Sequence, residues 1–130
     1  MKTKLITRIY RCLQALNQSE KNNNTEWIDN WYNELQKLNK LLPSGSGIDS
    51  GSEIDIENST ENKIIITFEY HHLNENGYYD GWTGHKLTLK PTFDSFDMNI
   101  SGEDRNDIKD YLYQTFEYSL NNEIEFKPNN

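Results

Sequence analysis

A single cysteine, Cys12, leaves this chain without a possible internal disulfide. No apolar run approaches the roughly 20 residues that a helix needs to cross a bilayer. The first 17 residues make a poor export signal, because Arg8 and Arg11 interrupt what should be its apolar centre. A reducing cytoplasm is therefore the expected location, with no membrane partner. Signatures of catalysis are missing as well. There is no GxSxG elbow, no HExxH and no cysteine set at a metal-binding spacing. The Gly-Ser run after Pro43 is not a phosphate loop, since it lacks the Lys-Ser/Thr pair and follows no strand. No cofactor and no bound metal are expected.

Apolar residues are scarce, at 34% with a mean hydropathy of -0.94, which favours a thin core under a polar surface. Aromatics at 12%, among them Trp27, Trp31 and Trp82, supply enough bulk for a folded core all the same. The length suits one small domain over residues 1–130. Charge is distributed unevenly. Residues 1–43 carry seven basic and four acidic side chains, a surplus of +3, so the net -8 leaves -11 on the rest. An acidic body disfavours direct nucleic-acid binding and suits a basic partner surface.

Leu5, Ile6, Ile9, Leu13 and Leu16 recur at intervals of three and four, which predicts an amphipathic helix over residues 3–18. Asn24 or Thr25 can cap a second helix, whose stripe is Ile28, Trp31, Leu35, Leu38 and Leu42, and Pro43 stops it. Residues 1–42 are thus expected to form a helical hairpin. Residues 43–62, rich in Ser, Gly and acid, read as a loop, although Ile48, Ile54 and Ile56 offer anchors that a spacer does not need.

From Lys63 the period changes to two, with Ile64, Ile66, Phe68 and Tyr70 facing one way and Ile65, Thr67, Glu69 and His71 the other. A turn at Asn76-Gly77, a strand over Gly84 to Lys90 and a third from Phe96 to Ile100 complete a three-stranded antiparallel meander. Ser101, with Asp104 three residues on, is the expected cap of a last helix that buries Ile108, Leu112 and Phe116. EIEF near the end can add a short edge strand. The expected fold class is α+β: helical hairpin, β-meander, and a C-terminal helix packed on the sheet over residues 63–130.

All three histidines flank the turn in HHLNENGYYDGWTGH, residues 71–85. His72, Asp80 and His85 are ligand-type or acid/base residues, and Tyr78, Tyr79 and Trp82 offer aromatic contact area of the kind that anchors interfaces. A two-residue turn sets His85 opposite Phe68. His72 and His85 are then about four residues apart along the ladder, roughly 13 Å, too far to share an ion. These six residues are the candidate binding site. Cys12, beside the first helix's apolar stripe, is read as an inert small residue, and the basic residues of that helix as a solvated face.

The segments LLPSGSGID (41–49), HHLNENGYYDGWTGHK (71–86) and FDMNISGEDRNDIKDYLY (96–113) resemble a family of small uncharacterised proteins encoded by bacteriophages and other mobile elements. The likeness runs from about Leu41 to Tyr118 and leaves out the first helix. It implies no catalytic residue. What it does imply is a phage-type accessory protein in the cytoplasm of a bacterial host, one that binds a host or defence protein. Such a protein can act as an inhibitor of the anti-CRISPR or nucleic-acid-mimicking kind. The alternative from the residues is a small metal- or ligand-binding enzyme centred on His72, Asp80 and His85. The resemblance also makes the Ser-Gly loop less like a linker, because that loop is part of the pattern.

Overall fold

The structure is a computed structural model and describes residues 2–45, 47–48, 51–73, 76, 79–91, 98–101 and 106–126; at 72–73, 79–80, 82, 98–99, 101 and 106–107 it describes the backbone alone. The chain opens with strand β1 (Lys2–Lys4) and helix α1 (Leu5–Lys21). The expected apolar positions of α1, together with Cys12, are all buried, as the three-and-four spacing requires. Among the described residues no side chain caps its start. The Leu5 N–H is instead donated to the Asn122 carbonyl at 3.1 Å, which ties the start of α1 to the far end of the chain.

Helix α2 (Thr25–Leu38) follows a tight turn in which Asn23 takes the left-handed conformation that asparagine tolerates. Asn24 is the cap: its side-chain oxygen accepts the Trp27 N–H at 3.2 Å. Leu35, Leu38 and Leu42 are buried against α1, whereas Ile28 and Trp31 are only half-buried. One 3₁₀ turn, Asn39–Leu41, closes the hairpin before Pro43.

Strands β2 (Glu53–Ile54), β3 (Ile64–Leu73), β4 (Tyr79–Leu89) and β5 (Met98–Ser101) form one antiparallel sheet in the order β2-β3-β4-β5. The expected meander is β3-β4-β5. Strand β2 adds a fourth member from within the segment read as loop. That segment docks because its apolar anchors are buried, Ile48 and Ile54 among them, and because its serines satisfy backbone groups. Ser52 Oγ donates to the Pro43 carbonyl at 2.9 Å, and Ser59 Oγ donates to the Asp55 carbonyl while accepting the Ile65 N–H at 2.9 Å. Gly47 carries φ +99° and lies so close to Tyr70 that a Cβ there would meet its ring at 2.7 Å.

Strand β4 begins at Tyr79, five residues before the expected Gly84, and pairs along β3 from Ile64 to Leu73, with only His72 left out of register. Phe68 does face His85, but a bulge between His71 and Leu73 shifts the pairing so that Leu73 meets Tyr79. Ser101 ends β5 opposite Lys86, and helix α3 is described over Asn106–Asn121; the expected cap, made by the Ser101 side chain with Asp104, lies outside the described residues, as does Phe96. The last strand, β6 (Glu123–Glu125), pairs with β1 in a separate ribbon rather than with the sheet.

The inner sheet face (Ile64, Ile66, Phe68, Leu87 and Leu89) meets Ile108, Leu112, Phe116 and Leu120 of α3 and the buried stripe of α1 in one hydrophobic cluster. The Phe68 and Phe116 rings are 4.8 Å apart and tilted. An α+β architecture with α3 packed on the sheet is therefore what the chain adopts.

Candidate functional site

Residues directly opposite in an antiparallel pair share a face, so His85 faces the core along with Phe68. It is buried, its ring is stacked on Phe68 with 5.3 Å between centroids, and its Nε2 is 2.8 Å from the Thr83 hydroxyl. This is a satisfied core histidine on the α3 side of the sheet. His72 lies near the end of β3, with Tyr79, Asp80 and Trp82 on β4, where the Trp82 backbone pairs with His71. The side chains of these four, and Tyr78 entirely, lie outside the described residues. No three of the described His, Cys, Asp and Glu residues gather closely enough to hold a metal ion.

Three basic residues at the start of the chain lie beside carboxylates of the protein, whereas Arg11 of α1 is exposed. Arg8 Nη2 is 3.1 Å from Glu34 Oε1, which joins α1 to α2, and its guanidinium lies 5.4 Å from the centroid of the Phe126 ring. Lys2 and Lys4 sit opposite Glu125 and Glu123 across the β1-β6 ribbon. Arg8 is thus an inter-helix tie rather than part of a solvated face. Cys12 lies in the same region. Burial pushes its thiol up from 9.0 to about 11, with Arg8 partly opposing and Glu34 adding to the rise, so it is a poor nucleophile at neutral pH.

A cleft with acidic residues on one wall lies between α2 and β2. Tyr32 and Gln36 of α2, with Asn39 of the 3₁₀ turn, face the stretch Glu53 to Glu57 across a cavity of about 260 Å³ that Thr67 of β3 also lines. Tyr32 and Gln36 recur at helical spacing on the edge of the buried stripe, while Glu53 lies on β2 beside the buried Ile54 and Asp55 and Glu57 lie in the turn that follows it. Asn39 Oδ1 accepts the Ile54 N–H at 2.9 Å and pins the helix to β2. Asp55 accepts from the Asn58 side-chain amide at 2.9 Å and from the Asn58 backbone, so its carboxylate is held in place. Glu53 and Glu57 stay exposed and make no ion pair with any described residue.

A phenol, two amides and three carboxylates present an acceptor-rich wall suited to an ammonium or guanidinium group. They make no nucleophile-base pair. The sequence signal for this cleft is the polar set Tyr32, Gln36 and Asn39 together with the acids Glu53, Asp55 and Glu57, none of which belongs to a recognised motif. No family model matches this chain, nor does any curated protein or solved structure.

Proposed function

We propose that this chain is a non-enzymatic accessory protein, of the phage or mobile-element kind its sequence resembles, that binds a basic surface on a host or defence protein and competes there with nucleic acid. One observation carries the reading: Arg8 pairs with Glu34 and Lys2 and Lys4 sit opposite Glu125 and Glu123, while Glu53 and Glu57 beside the α2-β2 cleft lack a basic partner among the described residues. Outward-facing acid of this kind steers a basic partner and repels phosphates. The core position of His85 gives the enzyme alternative no support.

The test is capture of host proteins on the immobilised chain, with a Glu53→Gln/Glu57→Gln variant alongside. Supporting results are a basic protein released as ionic strength approaches about 1 M, where screening shortens to about 3 Å, displaced by duplex DNA and poorly retained by the variant. Capture indifferent to salt, to DNA and to the variant would refute the reading.

A further inference from the structure

Tyr118 is 81% exposed, far beyond the 37–50% of the other exposed large hydrophobic side chains among the described residues. Burial therefore does not explain its place in the fold. It sits in the last turn of α3 at a shallow depression of about 450 Å³ lined by Gln114, Glu117, Tyr118, Asn121, Asn122 and Glu123. Glu123 faces Lys4 across the ribbon, which leaves Glu117 as the carboxylate without a basic partner among the described residues. An aromatic face, a carboxylate and three side-chain amides thus converge on one open surface.

We propose that this surface seats an arginine side chain of the partner protein. A guanidinium is planar and can stack on the Tyr118 ring while its donors reach the Glu117 carboxylate and the amide oxygens of Gln114 and Asn121. A lysine ammonium has fewer donors and no flat face to stack, so it satisfies the same groups less completely. The proposal rests on the acidic-binder reading and adds where on the chain the partner is gripped, and by which residue.

The experiment titrates the full chain with two short unstructured peptides of equal length and charge, one built on arginine and one on lysine, and follows backbone amide shifts. The arginine peptide is expected to move the signals of Gln114 to Glu123 and to bind about two- to five-fold more tightly than the lysine peptide. Tyr118→Leu, at so exposed a position, leaves the fold intact and should abolish the preference, and Glu117→Gln should weaken both peptides. Shifts confined to the Glu53–Glu57 cleft would overturn the Tyr118 seat and leave the acidic-binder reading standing. An arginine preference that survives Tyr118→Leu would also overturn the seat. Absence of binding by either peptide would remove both.

Discussion

Replacing Phe116 with alanine tests the central packing of this fold. Phe116 has no exposed surface, and its ring meets Phe68, which in turn stacks on His85, so one side chain links α3 to both central strands. Truncating a buried phenylalanine costs about 3–5 kcal/mol, from lost transfer free energy and from the cavity left behind. The whole stability of a domain this size is about 5–15 kcal/mol. With a urea dependence near 1.5 kcal/mol per M, the unfolding midpoint should fall by about 2–3 M. Equilibrium unfolding followed by fluorescence and circular dichroism reads this directly. A double-mutant cycle on Phe68→Leu and Phe116→Leu isolates the ring pair, for which a coupling of about 0.5–1.5 kcal/mol is expected. An unchanged midpoint for Phe116→Ala, or strict additivity in the cycle, would refute the reasoning.

Gly47→Ala should destabilise by more than about 1 kcal/mol, because φ is positive there and the new Cβ meets the Tyr70 ring; the loss should shrink in a Tyr70→Ala background, and equal losses in both backgrounds would contradict the ring contact. Asn24→Ala should cost about 1 kcal/mol in equilibrium unfolding by removing the α2 cap, whereas Asn24→Asp should restore most of it. Burial raises the Cys12 thiol, so its contribution to stability is fully present below pH 9.0 and is lost as pH rises toward about 11. Cys12→Ala should flatten that alkaline decline in denaturant midpoints, and alkylation of the native protein at neutral pH should be slow until denaturant is added. Identical alkaline slopes in the two proteins would show that the thiol is not the titrating group.

Local periodicity was enough to identify most of the architecture. The three-and-four spacing of α1, α2 and α3 and the alternation of β3 each depend on residues within a few positions of one another, and burial followed those patterns at nearly every apolar position. Even the placement of His85 was legible. Once it is set opposite Phe68, the rule that cross-strand partners share a face sends it to the core, a step the grouping of three histidines by chemistry obscured. The same local rules could not show that Lys2–Lys4 and Glu123–Glu125 form a ribbon, because a three-residue strand has too few positions to reveal a partner some 120 residues away. Nor could they show that a Ser-Gly stretch docks on the edge of β3. Docking there depends on isolated anchors such as Ile48 and on hydroxyls that find backbone partners only once the sheet exists. The α2-β2 cleft and the match of Arg8 to Glu34 likewise arise where separate elements meet. Tertiary packing alone decided them, since the free energy of a long-range contact depends on which faces the rest of the chain has already brought together.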